Sequence, residues 1–264
     1  MSRQSSGPRF GPVPPSRSRR RLLALAGGGG LAATAGCLSA LGSSGERNAD
    51  VGLALDRLAF ADGFESETAS LAGAYGEHGV WGLADGPDVD GPAYVGAYRD
   101  SLSVPGDEEA RPWVTAEVAA VVYRLDGGAY RVWLWVGARA RQPEGGLGRA
   151  SVTRISVGAT AREGWSLGAF SPRGAFRDAP VPVSLDERGP SGRTPLPGGG
   201  IAPVDDATTG PNGRFEVAWQ GIARGVRSAS AVCEFEPVDD GEEGPARPFE
   251  TTATFGVAGG RGVL

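Results

Sequence analysis

Lysine is absent from this chain, and histidine occurs once, as His78. There are two cysteines, Cys37 and Cys233. Each shortage removes a class of chemistry. Without lysine there is no Walker-A grip on a nucleotide phosphate and no Schiff base on a carbonyl substrate. Two cysteines and one histidine do not supply the ligand spacing of a zinc centre. No Gly-x-Gly-x-x-Gly fingerprint follows a strand-like run, so dinucleotide binding has no motif behind it. No long amphipathic helix and no internal repeat stands out. No cofactor and no metal are expected.

Positive charge is scarce and uneven. Six arginines precede Cys37 with no acidic residue among them. The remaining 20 arginines face 31 aspartates and glutamates, a net charge of −11. Phosphate contacts need a basic patch, so nucleic acid is not an expected partner. An acidic, lysine-free surface suits high salt, where repulsion between like charges is screened within a few Å.

What the chain does have is β-pattern. Its centre is Trp113 to Ala140, two long runs rich in Val, Trp and Tyr around Asp126-Gly127-Gly128, which is a strong hairpin signal. Two registers are open. A two-residue loop of Gly127 and Gly128 would set Val122 against Trp133 and Arg124 against Arg131, two like charges. A three-residue loop would pair Leu125 with Ala129. One face then carries Ala116, Val118, Ala120 and Val122 with Val132, Leu134, Val136 and Ala138. The other carries Thr115, Glu117, Val121 and Tyr123 with Arg131, Trp133, Trp135 and Arg139, with Glu117 near Arg139. The three-residue loop is preferred, because it makes one face wholly aliphatic and matches a type I turn followed by a left-handed Gly.

Around this hairpin, residues 51–264 read as one all-β domain, large enough for a proper core. Strand-like runs are expected at Val51–Phe60, Ala69–Tyr75, Gly79–Leu83, Ala93–Tyr98, Ser151–Ala161, Trp165–Phe170, Gly213–Gln220, Ser228–Glu236 and Phe249–Val257. Leu53 to Phe60 also fits a helical turn or two. Ser171 to Pro211 is Pro- and Gly-rich and reads as a long loop. Short strands punctuated by turn residues predict an antiparallel β-sandwich, jelly-roll or immunoglobulin-like, built around the central hairpin.

Residues 1–36 have the layout of an export signal. Arg3, Arg9, Arg17, Arg19, Arg20 and Arg21 lead into Leu22-Leu23-Ala24-Leu25-Ala26, four glycines, and small residues ending at Cys37. The apolar part is too short and Gly-rich for a transmembrane helix, which needs about 20 apolar residues. Ser18-Arg19-Arg20-Arg21-Leu22-Leu23 resembles a twin-arginine (Tat) motif. Thr34-Ala35-Gly36-Cys37 resembles a lipobox, with Thr34 where a Leu is usual. Together with the composition, this start resembles the Tat-exported lipoproteins of halophilic archaea. The resemblance covers about the first forty residues. It implies lipid on Cys37 and a domain held on the extracellular face of the membrane. Residues 37–50, where Gly and Ser dominate and no period shows, read as a flexible tether. One lipid chain anchors only marginally, so a dialkyl group or a second contact with the membrane is expected.

Candidate chemistry in the domain is thin. Gly164-Trp165-Ser166-Leu167-Gly168 has the form of a nucleophile elbow, but Ser171-Pro172 follows where a helix is needed, and His78 precedes the serine. A secreted hydrolase using Ser166 and His78 is therefore an alternative, not the preferred reading. Asp85, Asp88 and Asp90 lie near glycines as calcium ligands can, yet they read better as solvated turns. Cys233 reads as a small buried hydrophobe. Tyr123, Arg131, Trp133 and Trp135 share a face that would stack on a sugar if it were open. Large aromatics in a central hairpin are mostly core, and a carbohydrate-binding module requires an exposed indole in a groove. The expected role is therefore non-enzymatic: a lipid-anchored domain that binds a glycan or envelope protein, or serves as envelope structure.

Overall fold

The computed structural model describes residues 45–54, 74–75, 93–106, 112–141, 148–177, 181–185, 192–194, 198–204, 206–238 and 251–263. These residues form strands almost throughout. In chain order they are β1 (Gly45–Ala54), β2 (Ala93–Val104), β3 (Val114–Arg124), β4 (Tyr130–Ala140), β5 (Gly148–Thr160), β6 (Trp165–Ser171) and β7 (Phe176–Arg177). Then follow β8 (Val181–Val183), β9 (Gly192–Thr194), β10 (Gly199–Pro203), β11 (Gly210–Pro211), β12 (Arg214–Ala223), β13 (Val226–Pro237) and β14 (Thr252–Val263).

The strands make two six-stranded antiparallel sheets packed face to face, as the sequence pattern predicts. The first sheet runs β1-β14-β5-β12-β10-β7 and the second β11-β6-β13-β4-β3-β2. A separate two-stranded ribbon joins β8 to β9. The core between the sheets is built by period-two alternation. Ile155, Val157, Val217, Trp219, Phe255 and Val257 come from the first sheet, and Val118, Val122, Val132, Leu134, Val136 and Phe235 from the second.

The central hairpin takes the three-residue register. Arg124 pairs with Tyr130, Tyr123 with Arg131 and Val122 with Val132. Leu125 N–H closes the loop on the Ala129 carbonyl at 2.8 Å. The whole aliphatic face lies in the inter-sheet core. The turn itself differs from the expected type I. Gly127 and Gly128 both have positive φ, 73° and 79°. Two successive glycines make a second left-handed residue cheap, and this loop uses both.

Elsewhere the structure moves boundaries. Gly45 to Asp50, expected as tether, are strand: every residue of β1 pairs with β14, from Gly45 opposite Arg261 to Ala54 opposite Thr252. Leu53 and Ala54 are therefore extended, not helical. Arg47 fixes this strand to the second sheet, because its guanidinium lies 4.8 Å over the Trp113 ring and donates to the carbonyls of Pro105 and Gly106. The Ser171–Pro211 stretch is not one loop; it contains β7 to β10 and leads into β11. β7, β8, β9 and β11 were hidden there because two or three residues show no period. Of the expected strand at Ala69–Tyr75, Ala74 and Tyr75 are helical, and the rest lies outside the described residues, as does Gly79–Leu83.

Candidate functional site

Tyr123, Arg131, Trp133 and Trp135 do come together, on the outer face of the second sheet. The structure closes that face. Tyr123 is 0 % exposed, Arg131 4 %, and Trp133 and Trp135 each 1 %. The Trp135 ring lies flat across Gly137, where an added Cβ would come within 2.5 Å of a ring carbon. Tyr75 meets Trp135 edge-on, with centroids 5.1 Å apart and an 81° interplanar angle. Val183 of β8 and Val232 of β13 complete this second apolar cluster. An exposed indole in a groove, which a sugar platform requires, is thus not what this face presents. The physical reason is that a cover buries far more aromatic area than an open platform would.

The arginines of this face are held within it. Arg131 donates through Nε to Glu234 Oε1 at 2.9 Å and through a terminal nitrogen to the same oxygen at 2.5 Å. Arg139 donates to the Ala74 carbonyl and lies 5.8 Å over the Tyr75 ring. Glu117 lies diagonal to Arg139 across the β3–β4 pair, as expected, and accepts from Arg99 of β2. Burial, then the Glu117 charge, push the Tyr75 hydroxyl up to about 12, against the opposing pull of Arg139 and Arg99. Tyr75 therefore stays a neutral phenol at any ordinary pH.

Ser166 is the second residue of β6, opposite Pro211 and Glu236. The strand runs on to Ser171, so no helix follows and the elbow geometry is missing. His78, Asp85, Asp88 and Asp90 lie outside the described residues. Among the described residues no group of three or more His, Cys, Asp and Glu side chains could hold a metal ion. Cys233 is fully buried in the inter-sheet core, and burial, with the Glu234 charge beside it, pushes its thiol far above the ordinary range. It is inert, as the sequence suggests.

A polar cluster that sequence reasoning missed sits on the outer face of the first sheet. Three cross-strand rows form it. Asn48, Ala258, Arg154 and Gln220 make one; Asp50, Gly256, Ser156 and Ala218 the next; Gly52, Thr254, Gly158 and Glu216 the third. Arg154 pairs with Glu216, so their ion pair links the outer rows and crosses the middle one. Ser156 beneath it is only 3 % exposed. Asp50 Oδ1 and Ser156 Oγ converge above Gly256, each 2.6 Å from where a Cβ would stand. Glycine is what lets both lean in.

This face offers carboxylates, a guanidinium, hydroxyls and carboxamides, a set suited to hydrogen-bonding a polar partner rather than to activating a nucleophile. Burial, partly offset by Arg154 and reinforced by Glu216, raises the Asp50 pKa. A carboxyl raised in the folded state favours folding most below its unfolded pKa, and that contribution is lost as pH rises through the folded value. Asp50→Asn should therefore raise the melting temperature near neutral pH, with the gain vanishing in acid below the ordinary aspartate range. Thermal unfolding across pH reads this directly; a neutral-pH loss of stability would refute the sign.

Alternation tells which residues of a strand point outward, but not which strands are neighbours. That is why Asp50, Arg154 and Glu216, far apart in the chain, gave no signal together. No protein-family model matches this chain, and no curated protein is significantly similar to it.

Proposed function

We propose that this chain is an exported lipoprotein whose β-sandwich is held on the outer face of the membrane through Cys37 and serves there as a non-enzymatic binding or structural domain of the envelope. The observation that carries the reading is the division of labour between the two cysteines. Cys233 is sealed in the core with its thiol protonated, so Cys37, behind a basic leader and small residues, has no described cysteine to pair with. The first strand starts eight residues after Cys37. That spacing lets lipid sit on Cys37 without disturbing β1 and keeps the domain within about 28 Å of the anchor even when fully extended. The closed aromatic layer leaves the polar face of the first sheet as the surface for a glycan or an envelope protein.

Substituting Cys37→Ser tests anchoring. The variant is expected to leave the membrane fraction for the soluble one after a high-salt wash, while the unaltered protein stays. Arg19→Lys combined with Arg20→Lys is expected to keep the precursor inside the cell. A Cys37→Ser variant that remains bound as tightly as the parent would remove the lipid anchor from the account.

A further inference from the structure

The polar face of the first sheet carries a notch over Gly256 of β14. Asp50 reaches it from β1 and Ser156 from β5, and Arg154 leans in from two residues along the same strand. From the point where a Cβ would stand on Gly256, Asp50 Oδ1 and Ser156 Oγ are each 2.6 Å away and Arg154 Nη1 is 3.8 Å away. Any other residue at 256 would fill this space with its own side chain.

The polar atoms around the notch are unused. Arg154 gives Nη2 to Glu216, and Nη1 faces Gly256. Among the described residues, Asp50 Oδ1, Ser156 Oγ and Arg154 Nη1 make no hydrogen bond. Ser156 is the telling member, because it is only 3 % exposed. A side chain withdrawn that far from water normally has a partner for its polar atom. Here that atom points into the notch.

The mix of donors and acceptors defines what fits. A carboxylate accepts, a guanidinium donates, and a serine hydroxyl does either. A ligand hydroxyl answers all three, since it donates one hydrogen bond while accepting two. An anion would be repelled by Asp50 and Glu216, and a cation by Arg154. A protein partner would seek apolar or aromatic anchors at the centre of its interface. The three rows of this face hold small and polar residues instead. The exposed large apolar side chains among the described residues, Phe176, Ile222 and Val238, stand outside those rows. Asn48 and Gln220 on one side of the notch and Thr254 on the other continue the hydrogen-bonding surface over about 13 Å.

Resting on the reading of this face as the binding surface, we propose that it takes a neutral saccharide, one hydroxyl of which sits above Gly256 and bridges Asp50, Ser156 and Arg154. The rest of the sugar lies along the low rows to either side.

The test titrates the nitrogen-15-labelled full chain with the methyl glycosides of glucose, galactose and mannose in turn, following backbone amide shifts. Saturable shifts are expected at Ser156, Gly256 and their strand neighbours with at least one glycoside. Gly256→Ala plugs the notch; the atoms its methyl group meets are the ends of the Asp50 and Ser156 side chains, which can turn aside. It should weaken that binding about tenfold or more, the worth of a charge-assisted hydrogen bond. Gly52→Ala adds a methyl group to the same face where nothing lies within 4 Å, and should leave the affinity as it is. Asp50→Ala should weaken binding as Gly256→Ala does, which keeps the site testable if Gly256→Ala does not fold. Thermal unfolding of each variant separates a lost site from a lost fold. Folded Gly256→Ala and Asp50→Ala that bind like the parent overturn the notch. Saturable shifts confined to another face overturn this inference while the domain remains a glycan binder. Shifts that stay linear in glycoside concentration, or none at all, overturn it and remove the glycan from the proposed function as well.

Discussion

Truncating Trp135 to alanine is expected to destabilise the domain by about 3–5 kcal/mol, the range for emptying a buried aromatic site. Urea unfolding of the variant measures this. Trp135 is 1 % exposed, although it points away from the inter-sheet core. Its ring lies across Gly137 and under Tyr75, so its loss would leave a void that neither neighbour can fill without moving the other. The comparison residue is Leu134, fully buried on the opposite face of the same strand, for which alanine should cost about 2–5 kcal/mol. Comparable costs would mean that the outer layer is as integral as the inner one. If Trp135→Ala cost well under 1 kcal/mol while Leu134→Ala cost several, the cover over the aromatic face would be a loose overlay, and an openable aromatic surface would return to consideration.

Glu234→Leu should cost a similar amount by a different mechanism. Arg131 and Glu234 form an ion pair with side chains only 5 % and 17 % exposed. Removing the carboxylate takes its ion-pair partner from a buried guanidinium, a change that costs about 3–5 kcal/mol. Replacing both partners at once, Arg131→Met with Glu234→Leu, removes the stranded charge and should recover most of that loss. The double-mutant cycle therefore yields a large coupling energy even if the pair adds little net stability. A double variant as unstable as Glu234→Leu alone would show that Arg131 contributes through its packing on the aromatic layer, not through its charge.

Much of the fold was legible in the chain. The central hairpin, its register and its aliphatic face follow from alternation, from the like-charge clash of Arg124 with Arg131 in the rejected register, and from the length of the Asp126-Gly127-Gly128 turn. Ser151–Ala161, Trp165–Phe170 and Ser228–Glu236 announce themselves because each is long enough to show a period of two. β7, β8, β9 and β11 do not, because strands of two or three residues are defined by their partners. Gly45 to Asp50 read as linker for a related reason. Gly45-Glu-Arg-Asn-Ala-Asp has weak strand propensity, and its conformation is imposed by the hydrogen bonds of β14 and by Arg47 on Trp113.

The candidate site divides along the same line. The chain placed Tyr123, Arg131, Trp133 and Trp135 on one face, since a strand's period is a local property. It did not say whether that face is open, because its cover, Tyr75 and Val183, lies far away in sequence. It gave no sign that Asp50, Arg154 and Glu216 meet.

Composition and alternation by themselves determined that this is an acidic all-β domain with a central hairpin. Only the tertiary structure decided which of its faces are closed and which charges are neighbours. The reason is that side-chain direction within a strand is set by local backbone geometry, whereas exposure and charge pairing depend on which distant strands the hydrophobic core brings together.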